Sequence, residues 1–361
     1  MIKKTTLAIA AALVVAACSP TPAPPATTTT SVTSSSTTTT TPIDYVAYVE
    51  DALDFMEENH YRTDEVDWET VRGQTLAIVE ANPTAIGAYG AIATALLPTR
   101  TNTVVPDAHT WFWRPEQVAE RNSPEFVVSS DPPTGRRLSN DLGYLNLPSV
   151  GTGSDQRATY ASQIQDLMAD VDSGAPVCGW IIDLRGHTGG DAGVGWAGLG
   201  PLLGDDVFFR FVGNHEIIEV SYRDGALLYD GEPVTDFLGE RARYVVNDGY
   251  LPEDGEAPIA VLTSGATGSA GEAILVSFLG RPDTRVFGEP TTGVPTAGNR
   301  LEMPDGAELR VTAFRYQDRL GRTYDESIRP DESILWNPGS GNDEAVEVAS
   351  QWLLETSSCV R

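Results

Sequence analysis

Three short segments of this chain hold residue types that could do chemistry. The first, Thr267-Gly268-Ser269-Ala270-Gly271-Glu272, lies between an apolar run, Ile259 to Thr263, and a second one from Ala270 to Leu279. A serine there would stand at a helix N-terminus, where free backbone N–H groups and the helix dipole can stabilise a developing oxyanion. The same Ser-x-x-Glu spacing is also a capping box, and alone it is read first as that. The second segment, Asp183-Leu-Arg-Gly-His-Thr-Gly-Gly190, ends a buried-looking run in a glycine-rich loop that a ligand could approach closely. The third, Asp107-Ala-His109-Thr-Trp-Phe112, supplies a histidine with aromatic neighbours. Such a lone histidine is ordinarily structural.

These segments need elements to hold them. Helical spacing of Ile43, Val46, Val49, Leu53 and Met56 predicts a helix over 43–58. Asp67 is placed to cap a second helix through Val79, and a third follows Pro83 to about Leu97. Gly143 to Ser149 and Val177 to Leu184 read as strands joined by a helix from about Asp155 to Val171, a βαβ unit. Turns at Arg223-Asp224-Gly225 and Pro304-Asp305-Gly306 signal hairpins, and a last helix runs from about Asp343 to Glu355. The expected class is α/β, with a mixed sheet core over 106–361 and a small helical subdomain over 43–105.

Taken together and in order, the three segments resemble the tail-specific, or C-terminal processing, protease family and its tricorn-core-like branch. Gly143 to Pro148, Gly288-Glu-Pro-Thr-Thr-Gly293 and Ile328-Arg-Pro-Asp331 add to the likeness, which spans roughly residues 45–355. The resemblance implies a crotonase-like core and a serine peptidase acting on peptides or proteins without a cofactor. It makes Ser269 the nucleophile and the N–H groups of Ala270 and Gly189 the oxyanion hole. In the processing-protease branch a downstream lysine activates the serine, but that position is Val294 here, and the only lysines of the chain are Lys3 and Lys4. The tricorn-like branch uses a histidine, which maps to His109, and a late acid, which maps to Asp325 ahead of Glu326. A neutral imidazole can take the serine proton at working pH. His187 stands where the family carries asparagine, and it remains a competing base. Too few residues separate His109 from Gly143 to hold a PDZ-type module.

The N-terminus reads as a targeting segment: Lys3 and Lys4 precede an apolar run from Leu7 to Ala17, too short to span a bilayer. Val15-Ala16-Ala17-Cys18 resembles the lipobox of bacterial lipoproteins, so residues 1–17 are expected to be removed and Cys18 lipidated. Residues 19–42 are almost wholly Thr, Ser, Pro and Ala and cannot bury enough apolar surface to fold. They form an expected tether of at most roughly 80 Å, holding the domain outside the cytoplasm at the membrane. The formal charge of −27 argues against nucleic acid as a partner. Cys178 and Cys359 are free to pair in an oxidising compartment. No His-Glu-x-x-His or cysteine cluster suggests a metal. Gly193-Val-Gly-Trp-Ala-Gly198 matches a dinucleotide fingerprint but begins too far beyond its strand. The alternative to a peptidase is a non-catalytic lipoprotein that holds peptides or apolar ligands in the same cleft.

Overall fold

The computed structural model describes residues 42–101, 107, 109–123, 131–150, 154–234, 244–247, 249–252, 255–337 and 342–356. Cys18, the segment 1–41 and Cys359 lie outside these. The elements run α1 (Tyr45–Asn59), α2 (Trp68–Ala81), α3 (Ala85–Thr101), β1 (Trp111–Trp113), α4 (Pro115–Arg121), β2 (Thr134–Leu138), β3 (Leu142–Asn146), α5 (Ser154–Asp172), β4 (Trp180–Asp183) and α6 (Ala192–Leu203). They continue with β5 (Phe209–Val212), β6 (Ile217–Arg223), β7 (Ala226–Tyr229), β8 (Glu232–Pro233), β9 (Ile259–Thr263), α7 (Ala270–Phe278), β10 (Thr284–Gly288), β11 (Thr296–Glu302), β12 (Glu308–Asp318), β13 (Thr323–Tyr324), β14 (Glu332–Ser333) and α8 (Glu344–Thr356).

The expected βαβ unit forms, with β3 and β4 parallel and α5 as the crossover. Its sheet has the order β14-β10-β9-β4-β3-β2, parallel except for the hairpin strand β2. Strands β4 and β9 are buried at every residue, as a sheet covered on both faces requires. Helices α5, α6 and α7 share a core with one face, including Leu145, Ile182, Val261 and Ile274, while α8 covers the other through Ala345, Ala349 and Leu353. Cys178, just before β4, is disulfide-bonded.

Helix α6 departs from the sequence reading, which weighed its glycines only as a fingerprint. They serve close packing: a Cβ on Gly198 would stand 2.6 Å from Ile164, and one on Gly200 would stand 2.4 Å from the Tyr222 ring. The antiparallel part is also larger than the hairpin signals suggest. It is an eight-stranded sheet, β1-β12-β5-β6-β7-β8, with β11 and β13 also pairing the 11-residue β12. The turn signals do mark its hairpins, and Asp224 and Gly225 adopt φ of 51° and 82° between β6 and β7.

Helices α1, α2 and α3 pack on this second sheet rather than on themselves alone. Val49, Leu53 and Ile92 share a buried cluster with Met303, Leu309 and Val311. Asp67 caps α2 as expected, accepting from the Thr70 N–H at 3.1 Å. Tyr48 and Tyr89 donate their hydroxyls to Asp305 at 2.9 and 2.5 Å, clamping the β11–β12 turn. The long register of β12 thereby carries its side chains to a fixed place opposite the parallel sheet.

Candidate active site

Ser269 occupies the turn between β9 and α7 with φ 50° and ψ −110°. A non-glycine residue in that region costs about 1–3 kcal/mol, a strain that clusters at functional positions. A sharp strand-to-helix turn of this kind pushes the serine Oγ outward beyond the carboxyl end of the sheet. The neighbouring parallel strand β4 ends beside it, so its loop meets the same turn. The loops are laced together: Gly268 N–H donates to the His187 carbonyl at 3.0 Å, Thr267 Oγ1 to that of Leu184 at 2.9 Å, and Ser264 Oγ to that of Arg185 at 2.5 Å. Arg185 anchors the loop from below by pairing with buried Asp183 and with Asp343.

Glu272 holds the serine turn from behind. Fully buried, it accepts the Ser269 N–H at 2.9 Å, the Gly293 N–H at 2.9 Å, the Val294 N–H at 3.0 Å and the Thr291 hydroxyl at 2.6 Å. Burial raises its pKa against the opposing pull of those donors. The Glu272 half of the capping box read from sequence is therefore present, and the serine oxygen faces His109. The His109 Nε2 lies 3.0 Å from Ser269 Oγ, and Nδ1 lies 2.8 Å from Thr296 Oγ1. With the proton on Nδ1 and donated to Thr296, the Nε2 lone pair faces the serine.

Burial, with a smaller contribution from the Arg310 guanidinium and opposed by Asp107, lowers the His109 pKa to about 4. The imidazole is neutral at neutral pH, the form that can accept a proton. Asp107 fixes the histidine through the backbone, taking the His109 N–H at 3.1 Å, and it also accepts the Thr312 hydroxyl on β12. Its carboxylate faces His60 Nε2 at 3.5 Å. Burial raises the Asp107 pKa, but His60, Thr110 and Thr312 outweigh it and hold it low. Tyr316, also from β12, is buried near Ser269, and burial raises its pKa.

Gly189 stands where the sequence put it, beside the serine. A Cβ on it would lie 3.5 Å from Ser269 Cβ and 3.9 Å from Oγ, and its φ of 143° suits only glycine. Neither its N–H nor that of Ala270, in the first turn of α7, meets a partner among the described residues.

Two sequence expectations are corrected. His187 does not reach Ser269. It is fully buried, its ring packs on Gly271, and neither ring nitrogen bonds another residue. The late acids do not reach His109 either. Asp325 pairs with Arg62 at 3.4 Å and Arg315 at 3.7 Å, and Glu326 is exposed, because the chain beyond β13 passes along the arginine-bearing side. Thr296 meets His109 Nδ1 instead. Its only sequence signal was its position after Gly288 to Gly293 at the start of an alternating strand. Among the described residues, no three His, Cys, Asp or Glu side chains gather as a metal site. Two surface cavities, about 370 Å³ beside Asp54 and Glu302 and about 560 Å³ beside Asp283 and Trp352, have no lining residue in common with this site.

Residues 141–334 match the family model described as peptidase family S41. The nisin-resistance protein of Lactococcus lactis subsp. lactis is 26% identical over 286 residues, covering 79% of this chain and 81% of that protein. A carboxyl-terminal-processing protease of Picosynechococcus is 29% identical over 162 residues, but the match spans 44% of this chain and only 32% of that protein. A lipoprotein structure from Streptococcus agalactiae superposes with a TM-score of 0.64 at 21% identity, covering 88% of this chain and 98% of that one. The photosystem II D1 C-terminal processing protease gives 0.55 at 15% identity, covering 81% and 94%.

Proposed function

The chain belongs to peptidase family S41, and from that premise we propose that it hydrolyses peptide bonds with Ser269 as nucleophile and His109 as base. The observation that carries this reading is the 3.0 Å approach of His109 Nε2 to Ser269 Oγ at a strained turn, in a chain with no lysine beyond Lys4. His109 takes the serine proton as Oγ attacks the carbonyl carbon, and returns it to the departing amine. The N–H groups of Ala270 and Gly189 receive the carbonyl oxygen as it becomes an oxyanion. Water, deprotonated by His109, then attacks the acyl-enzyme and frees Ser269. Thr296 keeps the imidazole oriented through Nδ1, a task that a carboxylate does in other serine enzymes.

We place the enzyme outside the cytoplasm, with Cys18 lipidated and residues 19–42 as tether. A relative matched over most of both chains bears the name nisin-resistance protein, so nisin is the first substrate to try. The test is a fluorophosphonate probe with the full chain, read by mass spectrometry beside nisin cleavage. Labelling at Ser269 that disappears in Ser269→Ala and falls sharply in His109→Ala is expected. An unlabelled wild-type chain, or peptide cleavage that persists in Ser269→Ala, would overturn the reading.

A further inference from the structure

A second buried histidine is linked to the base, and the reaction as described makes no use of it. His60 is the C-cap of α1, with its side chain 1% exposed. Its Nε2 faces Asp107 Oδ2 at 3.5 Å, and neither atom makes a hydrogen bond elsewhere among the described residues. Its Nδ1 accepts the Arg62 N–H at 3.3 Å, so that nitrogen holds a lone pair and the ring proton sits on Nε2, aimed at the carboxylate. The other oxygen of Asp107, Oδ1, takes the His109 N–H and the Thr312 hydroxyl. One carboxylate thus joins the two histidines.

The backbone around His60 is sewn to the antiparallel sheet. The His60 carbonyl accepts from Asn214 Nδ2, in the turn between β5 and β6, at 2.7 Å, and Asn59 Oδ1 accepts from Asn299 Nδ2 on β11 at 2.9 Å. The Tyr61 N–H donates to the Thr312 carbonyl at 2.9 Å, and the Tyr61 carbonyl accepts from the Arg315 guanidinium at 2.9 Å. Both segments meet on Thr312, whose own N–H donates at 2.9 Å to Thr110 Oγ1, one residue beyond His109. His60 is therefore pinned to the same residue of β12 as the segment that carries the base, and its ring reaches Asp107 from a fixed frame.

A general base must be held close to its working geometry, since a misplacement of about 1 Å can slow a reaction by about 100-fold. In other serine enzymes a carboxylate does this by bonding to the imidazole nitrogen. Here Nδ1 goes to Thr296, and the buried carboxylate of Asp107 bonds to the backbone N–H of the base instead. A buried carboxylate oxygen left without a donor is destabilising and turns toward whatever donor it can reach. The Nε2–H of His60 is the donor that faces it. We propose that His60 is a positioning residue of the peptidase site, fixing the Asp107 carboxylate so that Asp107 can hold His109 within reach of Ser269. The helices α1 to α3 thereby do more than cover the second sheet, because the end of α1 sets where the base stands. This inference rests on the peptidase reading for its effect on rate and not for its effect on the His109 ring.

The test separates the donor from the ring. His60→Gln drops the ring but puts an amide N–H where Nε2 stands, His60→Phe keeps a ring and drops the donor, and His60→Asn has an amide too short to reach Asp107. Two readouts are taken on the full chain: the second-order rate of fluorophosphonate labelling at Ser269, and ring-nitrogen NMR of the histidines, assigned by single substitutions. His60→Phe and His60→Asn should label about 10- to 100-fold more slowly than wild type, and His60→Gln within about threefold of it. Asp107→Asn, which sets an amide against the Nε2–H, should be slowed likewise, and adding His60→Phe to it should slow it no further. In the spectra His60 should carry its proton on Nε2 and His109 on Nδ1, and the His109 signals should shift in His60→Phe and hold in His60→Gln. Should His60→Phe fail to fold, His60→Asn beside His60→Gln makes the same comparison. Labelling of His60→Phe within about twofold of wild type, slower labelling of His60→Gln than of His60→Phe, or additive effects of His60→Phe and Asp107→Asn overturns the proposal. A wild-type chain that is never labelled sinks the peptidase reading alone, and the spectra then decide this one, which His109 signals unmoved by His60→Phe would refute.

Discussion

Thr296→Val tests whether a neutral hydroxyl can orient the catalytic base. The side chains are nearly the same shape, and the Thr296 N–H keeps its 2.8 Å bond to the Val294 carbonyl, so the fold should barely respond. The loss is the 2.8 Å contact to His109 Nδ1. A hydrogen bond to a neutral partner contributes about 0.5–1.5 kcal/mol and one to a charged partner about 1.5–3 kcal/mol. Because the imidazole becomes imidazolium as Ser269 attacks, the difference, about 1–1.5 kcal/mol, falls on the transition state. A cost of similar size arises because Nδ1 no longer prefers the proton, and the ring is free to place it on Nε2, where it blocks the base. Together these are about 2–3 kcal/mol, a slowing of about 30- to 150-fold. The assay is the second-order rate of fluorophosphonate labelling at Ser269, with thermal unfolding as the control for folding. A Tm shift of no more than about 3 °C is expected. Thr296→Ser should recover most of the rate, and Asp325→Asn, whose carboxylate faces Arg62 and Arg315, should label at close to the wild-type rate. A folded Thr296→Val chain that labels within about twofold of wild type refutes the argument.

The remaining predictions concern pH. With the His109 pKa lowered to about 4, the labelling rate should hold from neutral pH down to about 5 and fall only below it; a half-maximum near 6.5 would show that burial does not control this base. His187, buried without partners, is likewise lowered to about 4 from its usual 6.5. The unfolded chain binds that proton first as pH falls, so the stabilisation from keeping His187 neutral is complete above about 6.5 and is lost on the way down to about 4. Its size is up to about 3 kcal/mol. Chemical denaturation of wild type and His187→Leu across this window should show a shallower loss in the variant, and parallel curves would refute the assignment.

Much of the site was legible in the sequence because its parts are local. Ser269 and Glu272 lie one helical turn apart, and a cap places both whatever the rest of the chain does. Gly189 lies in the loop that follows a strand whose burial demands an apolar run, and the absence of lysine beyond Lys4 disposes of a lysine base by composition alone. The βαβ unit was legible for the same reason, since its periodicity and turns are short-range signals.

What the tertiary structure decided are the meetings across long separations. His109 and Ser269 are 160 residues apart, and His109 and Thr296 are 187 apart. Their contact depends on the register of β12, which holds β1 along one edge and β11 along the other. No local pattern encodes a register between distant strands, because pairing is chosen by the whole packed sheet. That register sent Asp325 to Arg62 and Arg315 and gave the histidine a threonine instead. Sequence determined which groups the site has to work with. Strand pairing determined which of them stand next to the serine.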